Sequence, residues 1–460
     1  MLLRVFGNTN RCVPGGSLSV NGSGKFADID SSVLKSIRKL SVSYIWFTGV
    51  IRHSTYPEPE VKGMAGSPYA ISDYADVNPY LARDAGTRLG EFSDMVARVH
   101  SAGMGVILDF VPNHVSCNYD NTSSFKFTEE NFYPGRYHDG DWTDTVKLNY
   151  SNRNTWEKMR DILLIWCGRG ADGFRCDMAE LVPIDFWNWC IPQIKAVYPE
   201  TLFIAEVYQP DRYREFLSAG FDYLYDKSCF YDTLFGILRN GWGASALTGA
   251  WQRLGDIQPR MLNFMENHDE PRLSSPFVCG DPFKGIAATA ASILFNNAPF
   301  MMYFGQEIGE DGMESAGFSG SDGRTTIYDW WSIPCVSAYL KGMRNGNETG
   351  YLPEKSVKIY ESYRKLLSLA VNKEAFSCGG CYDLQYANQH SDLYNTDKVY
   401  SFLRFDGDKL YLCVINFAQE PESVMVNVPS DAFRYFGLPA KDRQIEITID
   451  RYEYRDITDY

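Results

Sequence analysis

The regular alternation of short apolar runs with amphipathic segments constrains the fold of this chain more than any other feature. The segment 88–103, for example, places Phe92, Val96 and Val99 on one helical face and ends at a glycine. Strands that alternate with helices pair in parallel through right-handed crossovers. The chain is therefore predicted to be an α/β protein with a (β/α)8 TIM barrel. The runs typical of buried strands lie at residues 2–6, 44–48, 106–110, 173–176, 202–205, 221–225, 261–264 and 301–304.

The alternation breaks at two places, and these breaks predict the domain organisation. Residues 112–152, after the third predicted strand, are rich in Tyr, Asn and Asp and have no clear period. From about residue 375 the pattern changes to short alternating strands, with Asp-Gly-Asp at 406–408 as a hairpin turn. We expect a barrel formed by 1–111 and 153–374, an insertion at 112–152 and a C-terminal antiparallel β-sandwich at 375–460.

Composition excludes several classes of partner. The 460 residues carry 44 Lys and Arg against 58 Asp and Glu, a net charge of −14, which argues against nucleic acid. The longest apolar stretch, 286–305, is interrupted by Asn296, Asn297 and Pro299, so no membrane span is predicted. Nothing in the sequence indicates an oligomeric state.

The cysteines favour a reducing compartment. There are eleven, an odd number, and the lone CxxC of Cys378 and Cys381 has no second pair with which to hold zinc. Free thiols are therefore expected, and with them a cytoplasmic location. No signal peptide precedes the first apolar run, although a leader removed before residue 1 leaves the same sequence.

Charged residues end the predicted strands abruptly. In "GFRCD", Arg175 and Asp177 are two residues apart and point to the same side of the fourth strand. A carboxylate beside an arginine stays ionised, as a nucleophile requires. Glu206 ends the apolar "LFIAE" run, where burial is expected to raise its pKa and favour a protonated general acid. With Asp269 after the seventh strand, the set matches the paired carboxylates of a retaining glycosidase plus a third acid.

Each of these residues has a simpler interpretation when it is taken alone. A single Arg–Asp pair on a strand is more often a structural ion pair, and a single buried histidine is more often part of a core. However, the active sites of such barrels lie at the C-terminal ends of the strands. Four charged ends at the same barrel face therefore favour an active site.

The order "DFVPNH", "GFRCD", "IAEVY" and "FMENHD" resembles the four signature regions of the α-amylase family, glycoside hydrolase family 13. The resemblance extends over the barrel, the insertion (the family's domain B) and the C-terminal β domain. It implies that Asp177 is the nucleophile, Glu206 the general acid/base and Asp269 the transition-state stabiliser. It further implies that the substrate is bound through Tyr69, Asp109, His114, Arg175, His268 and Arg272.

The sequence departs from the calcium-binding members of that family. Lys147, in "VKLN", stands where those proteins have an aspartate before the fourth strand, and Leu181 stands where a histidine gives its carbonyl. Calcium needs oxygen ligands, so we expect no calcium at this site and no other cofactor, although Asn113 is present. Glu180 stands where many relatives carry a lysine that borders the leaving-group subsites, which leaves acceptor specificity open.

The resemblance implies a retaining hydrolase of α-1,4-glucosidic bonds in starch-like glucans or maltooligosaccharides. A transglycosylase, either a glucanotransferase or an isomerase, would use the same residues with a sugar in place of water. A third alternative is an inactive carbohydrate-binding homologue, against which all three acids argue. The choice between water and a sugar acceptor is not visible in the sequence.

Overall fold

The computed structural model describes residues 1–119, 123, 125–313, 322–450 and 454–457, the last four for their backbone only. The chain divides into two compact units. Unit 1 comprises Met1–Tyr225, Tyr303–Gly305 and Gly312–Pro353, and unit 2 comprises Asp226–Met302, Gln306–Asp311 and Glu354–Tyr460. The domain boundaries predicted from the sequence stay a prediction.

Unit 1 is built on parallel strands that follow one another in the order β1-β4-β7-β8-β9. The residues of β7 are buried on both faces, as expected for a sheet covered by helices. Two antiparallel pairs, β2–β3 and β5–β6, lie outside this sheet. The strands of unit 1 are β1 (Tyr44–Phe47), β2 (Ile51–His53), β3 (Ile71–Val77), β4 (Gly105–Phe110), β5 (His114–Ser116), β6 (Thr145–Lys147), β7 (Gly173–Cys176), β8 (Leu202–Ala205) and β9 (Tyr223–Tyr225).

The helices of unit 1 supply the apolar cover of this sheet. The predicted helix at 88–103 forms at Arg88–Ser101 and buries Phe92, Met95, Val96 and Val99, as its period required. Unit 1 has helices at Leu3–Phe6, Leu18–Asn21, Ser31–Arg38, Arg88–Ser101, Arg153–Gly168, Ile184–Val197, Tyr213–Ser218 and Pro334–Arg344.

The strand predicted at residues 2–6 is wrong. Leu3–Phe6 form one turn of helix, and only Leu2 makes a parallel bridge, to Thr48. All four residues of the turn are buried, Arg4 included, so burial does not alternate along the run. A short run of this kind fits a buried helix as well as a strand, because it has no period that separates the two.

Unit 2 contains a short parallel pair and the antiparallel strands of the C-terminal part. The parallel pair is β10 (Met261–Phe264) with β11 (Phe300–Met301), so the strand predicted at 301–304 is shorter and begins one residue earlier. The helices of unit 2 are Asp232–Arg239, Ala246–Leu254, Pro282–Leu294, Glu354–Asn372, Glu374–Ser377, Gln385–Asn388 and Ser430–Tyr435.

The antiparallel strands of unit 2 form two sheets that share one core. The first sheet has the order β12-β13-β14-β17, and the second is the hairpin β15–β16. Leu403 and Leu412 of the first sheet and Val426 and Ile447 of the second belong to the same buried cluster, which makes this part a β-sandwich. The strands are β12 (Gly380–Asp383), β13 (Val399–Phe405), β14 (Leu410–Asn416), β15 (Glu422–Val428), β16 (Arg443–Ile449) and β17 (Tyr454–Ile457).

Candidate active site

One buried guanidinium, that of Arg175 on β7, connects three carboxylates. Its Nη1 donates to Oδ1 of Asp177 at 2.6 Å and lies 3.4 Å from Oδ1 of Asp109. Its Nη2 lies 2.7 Å from Oε1 of Glu206, an ion pair that is close but not aligned as a hydrogen bond. None of the Arg175 side chain is exposed, so all three interactions are shielded from water.

The strand register explains why these side chains meet. β4, β7 and β8 are consecutive parallel strands, and the register pairs Asp109 of β4 with Arg175 of β7. The ladder continues past the strand ends, since the amide of Asp177 donates to the carbonyl of Phe110 and the amide of Glu206 donates to that of Cys176. The carboxyl-bearing positions of neighbouring strands therefore end at the same level of the sheet, as the sequence pattern indicated.

Aromatic rings enclose the guanidinium of Arg175. Its Cζ lies 5.4 Å from the ring centroid of Trp46, 5.2 Å from that of Tyr69 and 5.5 Å from that of Tyr225. Burial works against the charge, yet the neighbouring acids, Glu206 first, hold the pKa of Arg175 well above its usual value. The arginine therefore stays charged. Trp46 and Tyr225 were not singled out from the sequence, although both lie on the C-terminal half of a parallel strand.

Glu206 is fixed by two further donors. The hydroxyl of Tyr208 donates to Oε1 at 2.6 Å, and the amide of Met178 donates to Oε2 at 2.7 Å. Met178 adopts the left-handed conformation, with φ 43° and ψ 43°, which is uncommon for a residue other than glycine. Both carboxylate oxygens of Glu206 are thus held in place. Tyr208 was missed from the sequence, where the only available signal was its spacing of two from Glu206.

Burial also sets the charge states of Asp109 and His114. The pKa of Asp109 is raised to about 7 by burial, against the opposing effects of Arg175 and of a hydrogen bond with Trp46. The pKa of His114 is lowered to about 4, again through burial. A neutral His114 at the start of β5 can offer one ring N–H to a ligand or a protein carbonyl.

Comparison with known proteins shows which proteins the chain is similar to. Residues 19–145 match the family described as Alpha amylase, catalytic domain. Alpha-amylase 3 of Dictyoglomus thermophilum is 25% identical over 397 residues, which cover 77% of this chain and 76% of that protein. An α-1,4-glucan:maltose-1-phosphate maltosyltransferase of Rhodospirillum rubrum is 28% identical over 174 residues, 35% of this chain and 24% of that protein. The solved α-amylase of Geobacillus thermoleovorans, in complex with acarbose, superposes with a TM-score of 0.71 at 19% identity, covering 99% of this chain and 97% of that one.

The chain is similar to the α-amylase family through residues 19–145, and to Alpha-amylase 3 over most of its length. It is an enzyme of the glycoside hydrolase class, which acts on O-glycosyl bonds. The likeness to the Geobacillus protein confirms the predicted fold class, a (β/α)8 barrel with an insertion after its third strand and a C-terminal antiparallel β domain. The roles that the family implies for individual residues of this chain stay predictions.

Lys147, the residue that departs from the calcium-binding α-amylases, and Asn113 both contact the carboxylate of Asp139. The Lys147 ammonium pairs with Oδ1 of Asp139 at 2.9 Å, and the Asn113 amide donates to Oδ2 of the same group at 2.8 Å. Only 17% of the Lys147 side chain is exposed, so the ammonium does not extend into solvent. The pKa of Asp139 is lowered: burial opposes this, but the hydrogen bonds from Asn113 and Lys147 outweigh it.

The remaining α-amylase signature residues follow β10 in unit 2. His268 Nε2 lies 3.1 Å from Oδ2 of Asp269, and the amide of Asp269 donates to the side chain of Asn267. Arg272 has no exposed side chain and pairs with Glu266 at 2.9 Å. The observed position of Arg272 is that of a structural ion pair, and its contact with substrate stays a prediction. So do the predicted roles of His268 and Asp269.

Metal-binding clusters and membrane-spanning helices are both absent from the residues that the structure describes. Within ranges 1–119, 123, 125–313 and 322–450, no group of three or more His, Cys, Asp or Glu side chains is arranged to hold a metal ion. In the same part of the chain, every helix is too short or too polar to cross a membrane.

Proposed function

We propose that this enzyme is a retaining hydrolase of α-1,4-glucosidic bonds in starch-like glucans or maltooligosaccharides. The observation that supports this most directly is the single guanidinium of Arg175, which contacts both Asp177 and Glu206. A bridge of this length suits carboxyl groups about 5–5.5 Å apart, the separation of retaining enzymes. A pair that activates a water between nucleophile and sugar needs a wider gap, about 6.5–9.5 Å.

In the first step, Glu206 gives its proton to the glycosidic oxygen while an oxygen of Asp177 attacks the anomeric carbon. The C–O bond to the leaving sugar breaks, and a covalent glycosyl ester on Asp177 forms. Asp269 stabilises the positive charge that develops on the ring between these two states. In the second step, Glu206 takes a proton from water, whose oxygen attacks the same carbon and releases Asp177.

Arg175 and its neighbours prepare the two carboxylates for these roles. The charged guanidinium, hydrogen-bonded to Asp177 at 2.6 Å, favours the ionised nucleophile. Tyr208 and Met178 fix the orientation of Glu206, so its carboxyl group does not need to rotate as the proton is transferred. Tyr69 offers an aromatic face and neutral His114 a polar ring to the sugar at the cleavage site.

A transglycosylase is the alternative function, and one comparison favours it. The Rhodospirillum relative is named as a maltosyltransferase, although it matches only 35% of this chain. Glu180 accepts a hydrogen bond of 3.1 Å from the amide of Tyr208, so the residue that replaces the family's lysine contacts the segment next to the general acid. An acidic residue at this point alters the surroundings of the acceptor. The acceptor is water in a hydrolase and a sugar in a transglycosylase.

The stereochemistry of the first product tests the retaining mechanism. Proton NMR of maltooligosaccharide hydrolysis should show the α anomer first, with the β anomer appearing only through mutarotation. A β anomer as first product would contradict the roles of Asp177 and Glu206. Product analysis on starch, maltooligosaccharides, pullulan and cyclodextrins separates hydrolysis from transfer, since transfer yields oligosaccharides longer than the substrate.

We also propose a cytoplasmic location. All eleven cysteines are free in the structure. Thiols of this number suit a reducing compartment.

A further inference from the structure

The residue that follows Asp269 is anchored to the segment after β9. Oε2 of Glu270 accepts a hydrogen bond of 3.0 Å from the phenol of Tyr231, and Oε1 lies 3.4 Å from the ammonium of Lys227. Lys227 and Tyr231 begin and end one turn of π-helix, a form that is rare and occurs frequently at functional sites. All four residues belong to unit 2. We call Lys227, Tyr231 and Glu270 the anchor.

The phenol of the anchor has a fixed position. Tyr231 is 2% exposed, and its ring stacks on that of Phe264 in β10, with centroids 5.1 Å apart and planes inclined by 27°. It also stacks on Phe235, of the helix Asp232–Arg239, at 6.1 Å and 26°. A side chain packed against aromatic rings in this way loses contacts when it moves. The hydroxyl of Tyr231 is therefore a fixed reference point for the carboxylate of Glu270.

Asp269 is held on its N-terminal side by the two residues before it. The side-chain oxygen of Asn267 accepts from the amides of Asp269 at 2.8 Å and of Glu270 at 2.9 Å. Nε2 of His268 lies 3.1 Å from Oδ2 of Asp269, whose side chain is nevertheless 41% exposed, so packing encloses it only in part. Because consecutive Cα atoms are about 3.8 Å apart, a shift of Glu270 is passed on to Asp269. The anchor thus fixes this loop on the C-terminal side of Asp269.

The ion pair of the anchor affects the local charge more than the stability of the fold. The side chains of Lys227 and Glu270 are 23% and 21% exposed, and ion pairs in partial contact with water contribute little to stability. The pKa of Glu270 is raised, first by burial and also by the charge of Asp269, whereas Lys227 and the hydrogen bond from Tyr231 oppose the rise. Lys227 therefore offsets the repulsion between the two neighbouring carboxylates. These contacts favour a role in the geometry of the loop over a role in folding.

We propose that Glu270 is a positioning residue, which sets the direction of the Asp269 carboxylate while positive charge develops on the sugar ring. It acts through Asp269 rather than on the sugar. The inference rests on the proposed function, because the role of Asp269 as transition-state stabiliser comes from it. A displaced carboxylate loses stabilisation of the transition state but little binding of the uncharged substrate, so kcat is affected more than KM.

The test measures kcat and KM of the full chain on one maltooligosaccharide. Tyr231→Phe keeps the stacked ring but removes the donor, and kcat should fall about tenfold while KM stays within about twofold. Glu270→Ala should lose at least as much, whereas Glu270→Gln should retain kcat within about threefold, because its amide oxygen can still accept from Tyr231. Combining Tyr231→Phe with Glu270→Ala should cause no loss beyond that of Glu270→Ala, since both remove the same contact.

Tyr394→Phe is the matched control. Tyr394 is also a buried tyrosine of unit 2, and its hydroxyl donates to Oγ of Ser401 at 2.9 Å. Each of the two phenylalanine variants loses a hydrogen bond of a buried phenol, so both should lower the melting temperature to a similar extent. Only Tyr231→Phe should lower kcat.

An unchanged kcat in Tyr231→Phe and Glu270→Ala overturns the proposal, as does an equal loss of kcat in Tyr394→Phe. A rise in KM at constant kcat also overturns it, because Glu270 then contributes to binding of the substrate in its ground state. If Glu270→Ala fails to fold, the comparison of Tyr231→Phe with Glu270→Gln carries the test. Failure of the proposed function gives a different result, namely no turnover of any maltooligosaccharide by the unmodified enzyme.

Discussion

The phenol of Tyr208 donates a 2.6 Å hydrogen bond to the oxygen of Glu206 that also lies 2.7 Å from the guanidinium of Arg175. The other oxygen of Glu206 accepts from the amide of Met178. The carboxyl group is therefore held in one orientation by three residues, Arg175 and Met178 from the end of β7 and Tyr208 from the segment after β8. In our proposal this group transfers a proton twice per turnover, so its orientation matters for both steps.

Replacing Tyr208 tests this positioning role. Tyr208→Phe keeps the ring but removes the donor, and kcat should fall about tenfold, because one charge-assisted hydrogen bond contributes about 1.5 kcal/mol or more. KM should stay within about twofold, since Tyr208 holds Glu206 rather than the sugar. Steady-state kinetics on one maltooligosaccharide separates the two constants. Tyr198→Phe, at the end of the helix Ile184–Val197, is the control and should change neither.

Asp177→Asn should lower turnover by several orders of magnitude while glucan binding remains. The amide cannot form the glycosyl ester, so the covalent step is lost. The hydrogen bond with Arg175 can be kept through the amide oxygen, so the melting temperature should change little. The assignment of the nucleophile is wrong if the variant keeps more than about a tenth of the original activity.

The burial of Asp109 predicts a particular dependence of stability on pH. Its pKa is raised from 3.8 to about 7 in the folded state, so between these values the folded chain binds a proton that the unfolded chain has released. The contribution of Asp109 to the free energy of unfolding is therefore most favourable below pH 3.8, decreases as the pH rises towards about 7, and is constant above it. Asp109→Asn removes this decrease. The melting temperature of the variant minus that of the unmodified enzyme should therefore be more positive at pH 8 than at pH 4.

Asp226 provides the control for the Asp109 experiment. It is buried in unit 2, and burial raises its pKa to about 7 as well. Asp226→Asn should alter the pH profile of the melting temperature in the same direction. Only Asp109→Asn should also reduce kcat, because Asp109 contacts Arg175. Equal effects of the two variants on kcat would show that Asp109 has no specific role in the active site.

The ion pair of Lys147 with Asp139 leads to a prediction about metal removal. An ammonium at this position repels a divalent ion by several kcal/mol at low effective dielectric, so we expect no calcium beside Asn113. Activity and melting temperature should then be insensitive to EDTA, because no bound ion contributes to folding. A large EDTA-induced drop in melting temperature, reversed by calcium, would show that the site does bind the metal.

Lys147→Asp is the converse experiment. It places a second carboxylate next to Asp139 and Asn113, which creates a set of oxygen ligands suited to calcium. Without calcium the variant should melt at a lower temperature, because two carboxylates repel each other and Asp139 has lost its ammonium. Added calcium should restore part of the loss. Lys147→Met should be destabilised too, but without a response to calcium.

The sequence by itself determined most of the strand framework. The strands at 173–176, 202–205 and 261–264 were predicted to the residue, because each is a short, mostly apolar run with a charged residue within two positions of its end. The spacing of Arg175 and Asp177 fixed their common side of β7, since side chains alternate along a strand. The segment 2–6 was misassigned because a five-residue run that is apolar except for Arg4 is too short to show whether its period is that of a strand or of a helix.

The tertiary structure decided what those strand ends contact. The spacing within one strand does not reveal that Arg175 also reaches Glu206, because that contact depends on the register between neighbouring strands. The contact of the Tyr208 phenol with Glu206 is local, but it depends on how the chain turns after β8. The pairing of Lys147 with Asp139 likewise joins residues of an insertion without periodicity. The pKa of Asp109 depends on burial, which is a property of the whole packed unit. Local periodicity is written in the sequence, whereas distances and solvation arise only when distant segments pack together.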